Sequence, residues 1–223
     1  MIFYHFSLDP ACRLIRLLLA EKGMPEPEMR EERYWERNPR LLALNPASEV
    51  PVLRLGDGSA LSGVWPIVEY IEETGPAPSL LPDSPVARGE ARRLTDWFMR
   101  IFANDVSGLL LRERVLTRVI PGQSPDTASL RAGLSNIELH LEYISWLTER
   151  RRWLAGDQMT LADLAAAAAL SAVDYAGDVP WKDHPDARDY YARLKSRPSM
   201  RPLLAERLSG VQPARHYAEL DFE

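Results

Sequence analysis

Cysteine occurs once, at Cys12, which leaves no partner for an intramolecular disulfide and no thiolate set for a zinc cluster. That usage fits a reducing cytoplasm. Basic charge is not in excess. The 27 Lys and Arg stand against 32 Asp and Glu, a formal net charge of −5, and binding to nucleic acid, which needs a basic surface, is not expected. The four histidines, His5, His140, His184 and His216, lack the spacing of metal ligands, so no metal site is expected. Long apolar runs are missing too. The most apolar stretch, residues 164–173, is about half the roughly 20 residues a bilayer span needs and reads as a buried helix. Residues 1–6 have neither a charged n-region nor a long apolar h-region and are not read as a signal peptide. No internal repeat or low-complexity segment is visible.

What is present is a chain of 223 residues, 46% hydrophobic and 26% charged, sized for one or two domains with a real core. Residues 1–75 mix short β-like runs with helices. Residues 2–6 suit a buried strand, and residues 11–22 carry a broad apolar helical stripe that Gly23 can end as a left-handed cap. Polar residues 28–33, just after Pro25 and Pro27, suit an edge strand. Residues 52–55 and 59–61, either side of Gly56-Asp57-Gly58, read as a hairpin, and residues 66–73 as a helix with proline in its first turn. The order matches a thioredoxin-like α/β domain. Pro76, Pro78, Pro82 and Pro85 mark residues 76–86 as a linker. Residues 87–208 read as an all-helical domain, with helices at 88–116, 127–151, 160–175 and 186–207, and residues 209–223 form a tail.

Four motifs carry more specific information. Pro51 stands directly before a strand in the run from Asn45 to Leu53, a placement consistent with a cis bond that turns the N–H and C=O of Val50 toward a groove. Thr160 and Asp163 have the spacing of a capping box. The run from Tyr190 to Ser199 ends one helix and begins another. Asp9-Pro10-Ala11-Cys12-Arg13 opens the first helix after the first strand. In this order, over residues 1–208, the set resembles the glutathione S-transferase superfamily. The resemblance implies a thioredoxin-like domain followed by a helical one, a homodimer, and a glutathione cleft between domains.

Two departures from that family's pattern bear on chemistry. Members resembling this chain place Ser or Cys where Asp9 stands, to hold the glutathione thiolate. A thiol of pKa about 8.5 is only a few per cent ionised at neutral pH, and a carboxylate neither donates to it nor favours its charge. Tyr4, Ser7 and Cys12 are the alternatives, against plainer roles as a packed strand aromatic, a turn residue and a small buried hydrophobe; Ser7 is the reserve. The second departure follows the hairpin, where the family's Leu-x-Glu-Ser-x-x-Ile-x-x-Tyr pattern binds the γ-glutamyl group. Leu61, Ile67 and Tyr70 fix the register, and the acid and hydroxyl become Gly63 and Val64. Each charged hydrogen bond contributes about 1.5–3 kcal/mol, so losing both lowers affinity by about two to four orders of magnitude. No cofactor is expected, and glutathione is not expected to bind. Trp65 either fills the vacated space or packs at a domain seam.

The tail ends in three acids interleaved with Tyr217, Leu220 and Phe222, and either folds back or offers anchors to a partner. A narrower resemblance, to a cell-division branch of the same superfamily, is carried by the Asp9–Arg13 run, by Tyr34-Trp35 ahead of Asn45-Pro46, and by Leu220-Asp221-Phe222. It implies a non-catalytic homodimer that binds filaments of the tubulin-like division GTPase FtsZ at the division site in the cytoplasm, through the degenerate cleft and the tail. On residue chemistry, a groove rimmed by Trp35, the Val50-Pro51 turn and Trp65 beside the acidic tail suits protein capture, and the expected partner contacts are Asp9, Arg13, Trp35, Val50, Trp65, Asp221 and Phe222, with an extended segment pairing against Val50 as an added strand. The alternative is a glutathione-dependent transferase or thiol reductase using Ser7 or Tyr4.

Overall fold

The computed structural model describes residues 1–220, and the chain divides into two compact units, Met1–Leu80 and the remainder from Leu81. In the first, β1 (Ile2–His5) leads through α1 (Pro10–Glu21) to β2 (Glu28–Glu31). A 3-10 turn (Tyr34–Glu36) and α2 (Pro39–Leu44) precede β3 (Val52–Arg54), β4 (Ala60–Ser62) and α3 (Val64–Thr74). The sheet order is β2-β1-β3-β4, with β1 parallel to β2 and antiparallel to β3, and β3 antiparallel to β4. Apolar β1 takes a central place, whereas charged β2 lies at an edge, where its glutamates and arginine discourage further pairing. The thioredoxin-like arrangement expected of this half is present.

Local chemistry fixes the helix ends. Asp9 caps α1 with a carboxylate accepting from the Cys12 amide at 2.8 Å, Pro10 follows at the first position, and Gly23 leaves the helix at φ +62°. α3 begins at Val64 rather than at residue 66, because Pro66 occupies the first turn, where it gives up no hydrogen bond. Residues just beyond α3 are tied to the first unit. The buried Lys22 ammonium donates to the Pro78 carbonyl at 3.0 Å, and Glu72 accepts from the Ser79 hydroxyl at 2.6 Å. The Val50–Pro51 bond is cis, as its sequence context suggested; so is Ala77–Pro78, which nothing in the sequence singled out.

The second unit is helical, as expected, with no helix among the described residues long and apolar enough to cross a membrane. α4 runs continuously over residues 85–119 and contains three π turns, Trp97–Ile101, Ala103–Ser107 and Arg112–Leu116. Its core positions Leu94, Phe98, Phe102, Val106 and Leu110 are all fully buried and recur every four residues. On a straight α-helix that spacing drifts about 40° per step, so the face would rotate out of the core. The π turns, closed by longer i→i+5 bonds, absorb the drift. Next come α5 (Thr127–Thr148), α6 (Leu161–Ala176), α7 (Pro185–Lys195) and the short α8 (Arg201–Ala205). The helical spacing over 186–207 is carried by two helices separated by a 3-10 turn at Pro198–Met200, the break that the Tyr190–Ser199 run implied, since Pro198 cannot donate within a helix.

α6 is buried along nearly its whole length, its alanines permitting close approach of neighbours. The capping box is formed as expected: Thr160 accepts from the Ala162 amide while the Asp163 carboxylate accepts from the Thr160 amide at 2.8 Å. Asp163 also accepts from the Leu154 amide at 3.0 Å and from the Tyr190 hydroxyl at 2.9 Å.

Two buried histidines make stability depend on pH. Burial, with the Arg16 charge added, holds His5 at about 4 instead of 6.5. Burial also lowers His140, against the opposing pull of Asp105. A depressed histidine pKa means that the unfolded chain binds the extra proton first. Stability is then complete above about pH 6.5 and falls as pH drops toward about 4, by on the order of 3 kcal/mol for His5 alone. Urea denaturation at about pH 7 and about pH 4 is expected to show a smaller acid loss in His5→Leu than in the parent; equal losses would refute the assignment.

Candidate functional site

Strand directions gather the sequence-predicted residues of the first unit. β1 and β2 end, β3 begins and β4 ends at the same edge of the sheet. The segments carrying Ser7 to Asp9, Tyr34-Trp35, Val50-Pro51 and Gly63 to Trp65 therefore all leave from that edge. Trp35 is half-buried, with its ring edge-on to Phe6 at 5.4 Å and to Tyr34 at 5.1 Å. Burial, with nearby Asp9 adding to it, pushes the Tyr34 hydroxyl up to about 12, so it stays protonated.

The turn before β3 is built by Asn45, whose side chain accepts from the Ala47 amide at 3.1 Å and donates to the Glu49 carbonyl at 3.0 Å. Ser48, at φ +58°, donates its hydroxyl to the Tyr34 carbonyl at 3.0 Å and so links this turn to the aromatic pair. The Pro51 carbonyl accepts from the Gly63 amide, whereas the N–H and C=O of Val50 have no hydrogen-bond partner among the described residues. They remain available to an extended segment.

The thiol-activating candidates are each engaged elsewhere. Cys12 is fully buried, and burial, with the Asp9 carboxylate next to it, pushes its thiol well above the usual range; it is an inert core group. Tyr4 lies in a core cluster with Leu41 and Val52, and its hydroxyl accepts from Arg30 at 3.4 Å. The Ser7 hydroxyl donates to Glu31 at 3.0 Å, which commits its proton. Burial raises the Asp9 pKa, while the amides of Cys12 and Ala11 and the Arg13 charge pull it back. Arg13 departs from expectation. It is fully buried and donates from Nε to the Ser7 carbonyl at 2.8 Å. It holds the turn into α1 and offers no surface anchor.

At the start of α3, Gly63 sits at φ +87° with no side-chain cap. A side chain there meets open space but a strained backbone, at roughly 1–2 kcal/mol. Trp65 is half-buried in the first turn of this helix. Together Asp9, Gly63 and Val64 supply neither the hydroxyl donor a thiolate needs nor the acid and hydroxyl that grip a γ-glutamyl head, so the residues present do not fit glutathione. Asp221 and Phe222 lie outside the described residues.

Models of the glutathione S-transferase N-terminal and C-terminal domains match residues 10–74 and 125–198. FtsZ-localized protein A of Caulobacter vibrioides is 49% identical over 98% of this chain and 97% of its own length. The chain belongs to the glutathione S-transferase superfamily. Among solved superfamily structures, that of a glutathione S-transferase from Rhodospirillum rubrum superposes with a TM-score of 0.96 at 53% identity, covering 99% of each chain. Another, FzlA from C. crescentus, gives 0.94 at 47% identity over 99% of each. The superfamily's two-part architecture is thus retained here.

Buried polar residues of the second unit were the part that sequence reasoning missed. His216, an isolated histidine in the sequence, meets Asp174 and Lys195 in the fold. The four-residue apolar spacing in α4 was visible in the sequence and signals the π turns.

Proposed function

We propose that the chain is a non-catalytic cell-division factor that binds FtsZ filaments as a homodimer in the cytoplasm, at the division site. Its contacts come from the loop edge of the first unit's sheet, through Asp9, Trp35, Val50 and Trp65, and from the C-terminal Asp221 and Phe222. The observation that carries this reading is the full-length likeness to a protein named for its localisation to FtsZ. Support comes from the displaced thiol chemistry around Asp9 and from the unpartnered Val50 backbone. Cosedimentation with GTP-assembled FtsZ is the test. Saturable pelleting with filaments is expected; a chain that stays in the supernatant refutes it.

The homodimer draws support from the second unit. Leu139 and Trp146 on α5 are 62% and 48% exposed, and with Tyr143 they form a stripe at i, i+4 and i+7. Trp97 of α4 packs on Tyr143 at 4.6 Å. The arginines touching the stripe are matched within the chain, Arg93 on Tyr143 with Glu90 and Arg150 over Trp146 with Glu149. A charge-balanced aromatic face suits a second copy of a net-negative chain. Two copies give avidity on a filament. Trp146→Glu is expected to weaken the dimer about a thousandfold, because both partners carry the change, and light scattering should read a monomer. An intact dimer would rule this face out.

A second reading, a working glutathione-dependent transferase with Ser7 as donor, is favoured by the 53% identity to the glutathione S-transferase from Rhodospirillum rubrum. Retention on glutathione-agarose together with conjugation of a generic electrophile would establish it.

A further inference from the structure

The C-terminal segment is built into the second unit. The Leu208 amide donates to the Tyr175 hydroxyl at 2.9 Å, which in turn donates to the Val211 carbonyl at 2.8 Å. The Ala214 amide donates to the Tyr175 carbonyl at 2.8 Å. Tyr217 is fully buried, edge-on to Tyr175 at 5.0 Å, with its hydroxyl donating to the Leu203 carbonyl at 3.0 Å. On the choice between fold-back and free anchor, residues 208–217 fold back.

At the centre of this contact are two buried opposite charges. Asp174, at the end of α6, and Lys195, at the end of α7, are both fully buried, with Nζ 3.8 Å from Oδ2. Neither relies on the other alone. The second Asp174 oxygen accepts from the Trp181 indole at 2.7 Å and from His216 Nε2 at 2.8 Å. Lys195 donates to the His216 carbonyl at 3.1 Å. One residue of the segment therefore serves both charges, its imidazole meeting the anion and its carbonyl the cation. Burying charges is costly unless they are paired and hydrogen-bonded, and removing one partner of such a group is strongly destabilising. Sliding the segment by one residue would carry the imidazole away from Asp174, a bond only His216 can make, so its register is pinned there. Beyond the pin, Ala218, Glu219 and Leu220 are exposed.

We infer that the buried Asp174 and Lys195, with the partly exposed His216, form a latch that fixes the register of residues 208–217 on the second unit, and so act as positioning residues for partner binding. The positioning role rests on the filament-binding reading; the latch does not. It also changes what a deletion reports. Cutting the chain after Leu208 strips the His216 contacts from two buried charges, whereas cutting after Leu220 leaves the latch whole.

The test compares His216→Ala with His216→Gln, which retains an N–H donor for Asp174, in the full chain. Trypsin cleavage after the exposed Arg215 and hydrogen exchange of residues 208–217 read the latch directly. Cleavage is expected to rise about tenfold in His216→Ala and to stay near the parent rate in His216→Gln. The hydrogen-bonded amides of Leu208, Val211, Ala214 and Tyr217 in the parent should be protected from exchange. If His216→Ala fails to fold, parent exchange and the Gln variant still decide: fast parent exchange, or equal cleavage in every form, overturns the latch. In cosedimentation with FtsZ filaments, His216→Ala is expected to lose affinity as far as the chain cut after Leu220 does, with His216→Gln retaining it. A released segment with unchanged filament affinity overturns the positioning role. A parent chain that fails to bind filaments overturns the partner reading and that role with it, while the cleavage result still stands for the latch.

Discussion

Asp163→Ala is expected to lower the unfolding free energy by on the order of 4 kcal/mol and the melting temperature by about 10 °C. The carboxylate is fully buried and receives the amides of Leu154 and Thr160 and the hydroxyl of Tyr190. Alanine leaves all three donors without their acceptor in a dry environment, at roughly 1–3 kcal/mol each before relaxation. It also removes the Asp163 half of the capping box of α6, a helix buried along nearly its whole length. Asp163→Asn should fall between parent and alanine. All the named partners donate, so one amide oxygen can still accept while the NH2 group faces a donor. Thermal denaturation by circular dichroism decides. A loss below about 1 kcal/mol would mean that these bonds are replaced by water at little cost.

The second large effect concerns binding. Trp35→Ala is expected to weaken FtsZ-filament binding about thirtyfold, the loss of a hot-spot aromatic, and to leave the melting temperature nearly unchanged. Trp35 is half-buried, held by edge contacts with Phe6 and Tyr34, so one face is committed to the fold and the remainder to the surface. Trp35→Phe should recover part of the affinity. Equal pelleting of parent and alanine variant would reduce Trp35 to packing alone.

The fold was largely legible because local signals agreed with it. Apolar β1, charged β2, the Gly56–Gly58 turn and the Thr160/Asp163 spacing each correspond to an observed feature. The break at Pro198 was legible too, because the Tyr190–Ser199 run ends one helix and begins another. At the loop edge, topology brings Asp9, Trp35, Val50 and Trp65 together, which no spacing in the sequence expresses. Arg13 was misread because an arginine in a first turn is usually solvated, and here its guanidinium instead secures the Ser7 carbonyl. Asp174, Lys195 and His216 were invisible for a related reason. Each is an ordinary surface-type residue, and only tertiary packing makes them one cluster.

The superfamily scaffold without its thiol chemistry is tested most directly by calorimetric titration of the purified chain with glutathione. With a carboxyl group committed to capping at the head of α1, glycine and valine at the start of α3 and the Ser7 proton committed to Glu31, no saturable heat is expected up to millimolar glutathione. A micromolar dissociation constant would contradict this and return the chain to the transferases in activity as well as in fold.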